Sequence, residues 1–211
     1  MTYVLYGDKG SGAFCVEAAL AEAGADYRFE IISLDKNEQR GEAYRAINPS
    51  GKIPALKLPG GEIVTESAGL LLTIADRHPA ANLLPPVQSV ERAQAYRWLA
   101  FMVSEIYPMV EISDYPERFV LPAEAEALRE KAKQRIRERL QVVAREIAGP
   151  WFLPTGFSVV DIYAVMFSRW RGSVGKEWLE ANIPELHALA RKVYERPKIM
   201  PVWQKHFPPP I

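Results

Sequence analysis

The stretch at residues 48–67 limits the possible folds of this chain more than any other segment. It reads N-P-S-G-K-I-P-A-L-K-L-P-G-G-E-I-V-T-E-S. Its first four residues are turn formers, because Pro49 fixes φ and Gly51 accepts a positive φ. Pro54 has no N–H to give to a sheet, so it is expected at the first residue of a strand or in a turn. The segment therefore predicts a turn followed by a strand that begins beside Pro54.

A hairpin and a helix follow this turn. The G-G pair lies between two short apolar runs and predicts a β-hairpin with strands at 55–58 and 62–65. The motif T-E-S then opens an amphipathic helix, predicted over 67–78. The backbone amide and carbonyl of Ile53 are left outside the hairpin, beside a helix N-terminus that carries a hydroxyl and a carboxylate.

The residues before this stretch predict a parallel strand pair. Short apolar or alternating runs at 3–6 and 26–32 are typical of strands, and between them the apolar residues of 13–23 recur at helical spacing. Strand, helix and strand in this order form a crossover unit with parallel strands. With a short helix at 42–46, the first part of the chain has the order βαβ-α-ββα.

Everything after the hairpin and its helix is predicted to be helical. Residues 81–90 contain two prolines and little periodicity, which is typical of an interdomain linker. Two apolar stripes follow at helical spacing: Tyr96, Ala100, Val103, Tyr107 and Val110, then Leu128, Ala132, Ile136, Val143 and Ile147. Further helices are predicted to begin near residues 158 and 184. The sequence thus predicts an α/β domain at 1–80, a linker at 81–90 and an all-α helical bundle at 91–211.

Composition excludes several classes of function. The chain has 211 residues, a formal net charge of zero and a pI near 6.9, so a nucleic-acid or anionic-membrane partner is not expected. No apolar run approaches the ~20 residues of a membrane span. Cys15 is the single cysteine, so there is no intrachain disulfide framework, and the N-terminus does not have the pattern of a signal peptide. These observations favour a cytoplasmic protein.

The motif N-P-S-G-K-I-P-A-L and the following E-S pair resemble the thioredoxin-like domain of the cytosolic glutathione transferases. The resemblance covers essentially the whole chain, since that family joins such a domain to an all-helical one. It implies that glutathione is the co-substrate and that Pro54 is a cis-proline. The Ile53 backbone would pair with the cysteinyl backbone of glutathione, and Glu66 and Ser67 would hold its γ-glutamyl end.

Ser11 is the candidate catalytic residue. It lies in a glycine-flanked loop just before a helix, where backbone amides and the helix dipole favour an anion. In serine-type members of the family, a serine here donates a hydrogen bond to the glutathione thiolate, which lowers the thiol pKa. The catalytic cysteine of the bacterial beta-type enzymes falls on Ser11 or Gly12, depending on the gap. The alternative is that Ser11 only caps the helix.

Lys36 and Cys15 have less specific signals. Lys36 lies 17 residues before Ile53, which is the spacing of a glutathione-contacting lysine in beta-type enzymes, and an ammonium there would suit the glycyl carboxylate. A solvated charge explains Lys36 equally well. Cys15 lies one turn inside a helix without a basic neighbour, so it is expected to be a small buried hydrophobe. The three histidines have no ligand partners at metal-binding spacing, and no metal is expected.

The helix after the linker is expected to carry the second-substrate pocket, in which Trp98, Phe101 and Tyr107 are candidates. Beta-type enzymes have a histidine where this chain has Tyr107, and an asparagine where it has Ala100. The resemblance is therefore to a bacterial serine-type enzyme rather than to a clear beta-class member. Tyr107 could donate a hydrogen bond to the substrate, or it could belong to the apolar stripe, and aromatic residues at helical spacing are more often packing.

The motif S-V-V-D at 158–161 is a capping box in which Asp161 is the acid at the third helical position. Asp161 is therefore interpreted as structural, although it is an acid on an apolar helix. The family has the same motif as a folding element in its buried helix.

The leading hypothesis is a glutathione transferase that conjugates glutathione to a small apolar electrophile, as in detoxification. Glutathione-dependent disulfide reduction would use the same thiolate, so the sequence scarcely separates the two reactions. A non-catalytic glutathione-binding protein with the same fold is the hypothesis from another class. The E-S pair argues against that hypothesis, and the missing cysteine and histidine argue for it. The resemblance also implies a homodimer.

Overall fold

A parallel strand pair begins the chain in the computed structural model, which describes residues 2–170 and 174–207. β1 (Tyr3–Gly7) pairs in parallel with β2 (Tyr27–Ile31), and α1 (Ala13–Ala23) connects them, since parallel strands need a crossover of this kind. A Cβ on Gly7 would lie 2.3 Å from the Cβ of Ala13. Only glycine therefore lets the end of β1 approach the start of α1 so closely.

The hairpin completes a four-stranded sheet with the order β2-β1-β3-β4. After the short α2 (Glu42–Arg45), β3 (Ala55–Lys57) pairs antiparallel with both β1 and β4 (Ile63–Thr65), and α3 (Ser67–Arg77) follows. The predicted order βαβ-α-ββα is confirmed, and each predicted element begins and ends within one residue of the observed bounds. This is the thioredoxin-like arrangement that the sequence predicted.

The first helix of the helical region begins earlier than its apolar stripe indicated. α4 (Val90–Phe101) is capped by Ser89, whose Oγ accepts a hydrogen bond from the amide of Arg92 at 3.0 Å. It continues through a π-helical turn (Met102–Ile106) into α5 (Tyr107–Asp114). Pro108 in the first turn of α5 has no N–H to donate, which is consistent with the wider turn just before it.

The longest helix, α6 (Ala125–Arg145), packs against α5 and the π-helical turn. Glu105 accepts hydrogen bonds from Arg135 at 3.1 Å and Arg139 at 2.9 Å, while Arg129 donates to the carbonyl of Ser113. Residue numbers therefore rise along one helix as they fall along the other, so the two run antiparallel, as the sequence predicted.

Four helices end the described chain: α7 (Val159–Arg169), α8 (Lys176–Asn182), α9 (Pro184–Tyr194) and α10 (Ile199–His206). Single 3₁₀ turns are present at Glu38–Arg40, Pro79–Ala81, Pro116–Arg118 and Pro122–Glu124. The sequence predicted α7 and α9 but not α8 and α10, which are too short for a periodic pattern to build up. No helix among the described residues is long and apolar enough to cross a membrane.

The described residues divide into two compact units. One contains the chain up to Leu84 together with the residues from Val193 onward, and the other is Pro85–Lys192. The division after Leu84 falls inside the predicted linker at 81–90. The described residues from Val193 to Phe207, which were predicted to belong to the helical domain at 91–211, group with the first unit instead. The reason is that α10 packs on α1, where the rings of Phe14 and Trp203 lie 5.3 Å apart, centroid to centroid.

Candidate functional site

The sheet register brings the predicted site segments to one edge. Ala55 at the start of β3 lies opposite both Tyr6 near the end of β1 and Thr65 at the end of β4. Gly7 lies opposite Ile31 at the end of β2. The segments after β1, β2 and β4 and the segment before β3 therefore all leave the sheet at the same end. Those segments carry the predicted site residues of the first unit, which are Ser11, Lys36, Ile53, Pro54, Glu66 and Ser67.

The turn before β3 is held by a buried polar cluster around the carbonyl of Lys52. The amide Nδ2 of Asn48 donates to this carbonyl at 2.6 Å, and the hydroxyl of Tyr44 donates to it at 2.9 Å. The Oδ1 of Asn48 accepts from the backbone N–H of Ser50 at 3.1 Å. Asn48 and Tyr44 are only 4% and 3% exposed, so these bonds are shielded from water. They fix the chain direction at the residue before Ile53.

Burial keeps the hydroxyl of Tyr44 in its donor form. Removal of the side chain from water is the main cause that raises the pKa of Tyr44 to about 12. The phenol therefore stays protonated over the whole physiological range, and its hydrogen bond to the Lys52 carbonyl does not titrate there.

Ile53 presents an open backbone at the end of the sheet, just before β3. Strand pairing of β3 starts at Ala55, and within residues 2–170 and 174–207 no hydrogen bond to the N–H or C=O of Ile53 is present. The Ile53–Pro54 peptide bond is cis. An extended peptide that lies along Ile53 would find one donor and one acceptor, so it could pair with this backbone as one strand pairs with another.

Ser11 lies at the entrance of α1, where its hydroxyl makes two bonds. It donates to the carbonyl of Asp8 at 2.6 Å and accepts from the backbone N–H of Ala13, the first residue of α1, at 3.1 Å. The bond from Ala13 is the helix-capping contact that the alternative for Ser11 predicted. The side chain is 9% exposed, so the hydroxyl lies just below the surface next to the positive end of the helix dipole.

Asp8 ties this loop to the segment after β2. One carboxylate oxygen accepts from the amide of Lys9 at 2.8 Å, and the other accepts from the amide of Leu34 at 2.8 Å. Lys36 follows two residues later. Its amide bonds the Oγ of Ser33 at 3.3 Å, and its side chain is exposed at the common edge.

Glu66 and Ser67 stand at the N-terminus of α3. Glu66 has φ +66° and ψ 107°, which is uncommon for a residue with a side chain and costs about 1–3 kcal/mol. Its side chain is exposed, while Ser67 is buried. Strained residues of this kind occur at ligand-binding positions, where the surrounding structure holds them. The strain makes Glu66 a candidate for binding on evidence independent of the sequence motif.

The aromatic candidates of the second unit belong to two ring clusters. Trp98 is 3% exposed, with the rings of Phe101 and Phe152 at centroid distances of 5.4 and 5.5 Å. Tyr107 is half-buried, with the rings of Phe167 and Trp170 at 5.9 and 5.3 Å, both edge-on. These contacts agree with the packing alternative for Trp98, whereas Phe101 and Tyr107 keep part of their surface accessible.

Two residues interpreted as structural have the expected surroundings. Cys15 is fully buried, and this burial raises the pKa of its thiol far above the usual range, so it does not supply a thiolate. Asp161 accepts hydrogen bonds from the amides of Phe152 and Ser158, both at 2.7 Å, and from the Ser158 hydroxyl at 3.0 Å. The predicted capping box is present. No group of three or more potential metal ligands is found among the described residues.

Several residues that shape the site were missed by sequence reasoning. Asn48 was interpreted only as a turn former, although an asparagine before Pro-Ser-Gly is also a residue that hydrogen-bonds its own turn. Tyr44 and Asp8 had no signal beyond their neighbourhood. His206, whose Nδ1 accepts from the amide of Gly10 at 3.2 Å, is 196 residues away along the chain and had no local signal at all.

Two domain models of one family match the sequence. The model of the glutathione S-transferase N-terminal domain matches residues 13–77, and that of the C-terminal domain matches residues 96–197. The first model matches most of the first unit up to Leu84, and the second matches most of the second unit.

Relatives and solved structures point the same way. The chain is 29% identical to the uncharacterized GST-like protein YncG of Escherichia coli strain K12, with 96% of this chain and 97% of the relative covered. It is 29% identical to glutathione S-transferase GstA of Escherichia coli O157:H7, with 92% and 94% covered. A crystal structure of a glutathione transferase homologue from Sulfitobacter, with bound glutathione, is 25% identical with a TM-score of 0.89 and covers 97% of this chain and 98% of that one.

Proposed function

Because the chain belongs to the glutathione transferase family, we propose that it binds glutathione and stabilises the thiolate for attack on a small apolar electrophile. The observation that carries this proposal is the common sheet edge. There the open backbone of Ile53, the strained Glu66 and the α1 entrance with Ser11 meet at the ends of adjacent strands.

Glutathione is a tripeptide, and each of its parts suits one segment of that edge. Its cysteinyl backbone would pair with the N–H and C=O of Ile53, which leaves the sulfur free to point toward the α1 entrance. Its γ-glutamyl end carries an ammonium and a carboxylate, which match the carboxylate of Glu66 and the amides and hydroxyl at the start of α3. Lys36 would contact the glycyl carboxylate.

The hydroxyl of Ser11 would stabilise the thiolate by donating its hydrogen bond to the sulfur in place of a backbone carbonyl. It donates to the carbonyl of Asp8, and in the complex it would donate to the sulfur instead. A neutral hydrogen bond contributes about 0.5–1.5 kcal/mol, and one to a charged group about 1.5–3 kcal/mol. The exchange is therefore favourable by about 1 kcal/mol, which corresponds to a thiol pKa lowered by about one unit. The dipole of α1 acts in the same direction.

The electrophile is proposed to be apolar because the candidate contacts of the second unit are aromatic. Phe101 and Tyr107 are each half-buried, and the buried Trp98 packs edge-on against Phe101. In this proposal, the protein supplies an acidified thiol and proximity, and the bond forms between the glutathione sulfur and the electrophilic carbon as the leaving group departs.

We also propose that the protein is a cytoplasmic homodimer. Val90 and Tyr96 on α4 are 72% and 43% exposed, and this exposed apolar surface supports an interface with a second copy of the chain. Light scattering at several protein concentrations gives the solution mass. A mass of one chain at all concentrations would contradict the dimer without affecting the proposed chemistry.

The proposed function is tested by binding followed by turnover. The protein is expected to be retained on immobilised glutathione, to be eluted by free glutathione, and to conjugate glutathione to a chloronitroaromatic substrate. A parallel assay uses hydroxyethyl disulfide. Turnover of the disulfide alone would replace conjugation by disulfide reduction. Retention without turnover of either substrate would replace the enzyme by a glutathione-binding protein, and failure to bind glutathione would contradict the proposal altogether.

A further inference from the structure

A buried carboxylate on α1 anchors the last helix of the described chain. Glu17 is 3% exposed, and its Oε1 accepts from Lys205 at 2.7 Å and from the hydroxyl of Tyr27 at 3.1 Å. Its Oε2 lies 2.7 Å from Nε2 of His206. Burial alone would raise the pKa of Glu17, but the hydrogen bonds from His206 and Lys205 outweigh it and hold the pKa below its usual range. Glu17 is therefore an ionised acceptor.

The second ring nitrogen of His206 reaches the loop that carries Ser11. The backbone N–H of Gly10 donates to Nδ1 of His206 at 3.2 Å. Because Nδ1 accepts this bond, the proton of the neutral ring is on Nε2, where it is donated to Glu17. The two contacts thus fix one tautomer. They form a chain from the carboxylate of Glu17 through the imidazole of His206 to the amide of Gly10.

The imidazole has no freedom to turn away from these partners. The side chain of His206 is fully buried, and the rings of Phe14, Phe29 and Phe207 surround it at centroid distances of 5.6, 5.7 and 6.0 Å. An aromatic cage of this kind holds the ring plane, so the direction of the Nδ1 lone pair is set by packing as well as by Glu17.

The bond from Gly10 to His206 acts on the residue that directly precedes Ser11. Gly10 has φ +71°, a conformation that residues with side chains rarely adopt. It immediately precedes Ser11, whose own amide makes only a long bond of 3.4 Å to the carbonyl of Asp8. The bond to His206 is therefore one of the contacts that orient the peptide leading into Ser11.

We propose that His206 is a positioning residue for the thiolate site, which holds the Gly10 amide so that the hydroxyl of Ser11 lies where it can donate to the glutathione sulfur in place of the Asp8 carbonyl. This inference rests on the proposed function of Ser11. It assigns to the end of the chain a role in the chemistry of the first unit, and it gives Glu17 the role of fixing the tautomer of His206.

Two substitutions of His206 separate positioning from packing. In His206→Asn, the side-chain oxygen can take the place of Nδ1 and still accept from Gly10. In His206→Gln, the side-chain amide can reach the place of Nε2 and still donate to Glu17, but no acceptor faces Gly10. Both variants lose the imidazole and its aromatic contacts. A higher thiol pKa in the Gln variant than in the Asn variant therefore reports on the Gly10 bond, because both variants lose the packing and only the Gln variant keeps the bond to Glu17.

The measurement is the thiol pKa of bound glutathione, followed by ultraviolet thiolate absorbance at a temperature where all variants are folded. We expect His206→Gln to raise this pKa by up to about one unit, the equivalent of one ordinary hydrogen bond, and His206→Asn to stay near the wild-type value. The matched control is Lys198→Met, which removes a 2.9 Å bond between the same C-terminal segment and the carbonyl of Glu22 on α1. It should leave the thiol pKa unchanged.

Equal shifts in the Gln and Asn variants, or no shift in the Gln variant, would overturn the inference. Wild-type protein and Ser11→Ala are titrated alongside. If the wild-type protein does not lower the thiol pKa of glutathione, the proposed function itself fails. If the wild-type protein lowers this pKa and the Gln variant lowers it equally, only the role of His206 is contradicted. If the variants do not fold, ¹⁵N spectra of the wild-type protein with glutathione decide. A scalar coupling between the Gly10 amide nitrogen and Nδ1 of His206 is expected, and its absence overturns the inference.

Discussion

Each unit of the molecule contains a buried polar cluster that holds backbone groups, around Lys52 in the first unit and around Asp161 in the second. In the first unit, Asn48 and Tyr44 bond the carbonyl of Lys52. In the second, Asp161 bonds the amides of Phe152 and Ser158. Both clusters have well-satisfied donors and acceptors, as buried polar groups require.

The difference lies in what adjoins each cluster. The chain that leaves the Lys52 carbonyl continues into Ile53, which presents an open backbone, whereas all the groups around Asp161 are buried and bonded to one another. The same physical device therefore pre-positions a binding backbone in one unit and only holds a helix start in the other. The burial of a polar cluster does not by itself show whether the cluster serves binding or only stability. An adjacent open backbone, such as that of Ile53, separates the two cases.

The largest expected effect is the loss of stability on Asp161→Ala. The substitution leaves buried donors on Phe152 and Ser158 without an acceptor, each at a cost of about 1–3 kcal/mol. We expect a loss of about 3 kcal/mol, seen as a Tm lowered by about 10 °C, with an unchanged Kd for glutathione in the folded protein. Calorimetry and titration check both. An unchanged Tm would contradict the structural assignment.

The next effect is expected from Asn48→Ala, which removes the 2.6 Å bond to the Lys52 carbonyl and the acceptor of Ser50. We predict a loss of about 2 kcal/mol of stability and a Kd for glutathione about tenfold higher, since one such bond corresponds to a factor of ten. Ser50→Ala is the matched control, because it removes only an exposed hydroxyl that donates to Asn48. Lost stability with an unchanged Kd for glutathione would show that the Asn48 cluster, like the Asp161 cluster, only stabilises the fold.

A smaller effect is expected from Tyr107→Leu. The change keeps an apolar side chain but removes edge-on contacts with Phe167 and Trp170, and aromatic pairs contribute about 0.5–1.5 kcal/mol each beyond their buried area. We predict a stability loss of about 1.5 kcal/mol by thermal unfolding, a lower rate of conjugation and an unchanged Kd for glutathione. A weakened glutathione affinity would show that the aromatic cluster also governs the first substrate.

The smallest expected effect is a pH dependence of the stability loss in Asp161→Ala. Burial, partly offset by its hydrogen bonds, raises the pKa of Asp161 to about 6, against about 3.9 in the unfolded chain. The folded state then binds the proton more tightly, so the contribution of Asp161 to stability is full below about pH 4 and is lost as the pH rises through 6. The difference in unfolding free energy between the wild-type protein and Asp161→Ala should therefore be about 1 kcal/mol larger at pH 5 than at pH 7.5. A difference that shrinks at pH 5 would reverse the predicted sign.

The sequence predicted those parts of the fold that depend on local pattern. α1 was predicted with its observed bounds, because its apolar spacing and the glycine after it are local signals. The turn at Asn48 and the hairpin were predicted for the same reason, and the connection rules predicted that β1 and β2 are parallel. Elements of seven or eight residues, such as α8 and α10, contain too few turns for a periodic signal.

The contacts that complete the site were beyond local pattern. Glu17 and His206 are 189 residues apart, and nothing near either residue indicates the other. The sequence indicated Ser11 and the neighbourhood of Ile53, but it did not indicate that Asp8 competes for the hydroxyl of Ser11. Such details depend on which atoms meet after folding, and a single sequence carries no signal for that.

The central claim is that this sheet edge binds glutathione and acidifies its thiol through Ser11. The most direct measurement is a thiolate titration of glutathione bound to the wild-type protein and to Ser11→Ala, with the Kd measured in parallel. We predict a thiol pKa well below the value of about 8.5 for a free thiol in the wild-type protein. In Ser11→Ala it should be about one unit higher than in the wild-type protein, with a nearly unchanged Kd. Identical titration curves for the two proteins, or a wild-type curve that coincides with that of free glutathione, would contradict the claim.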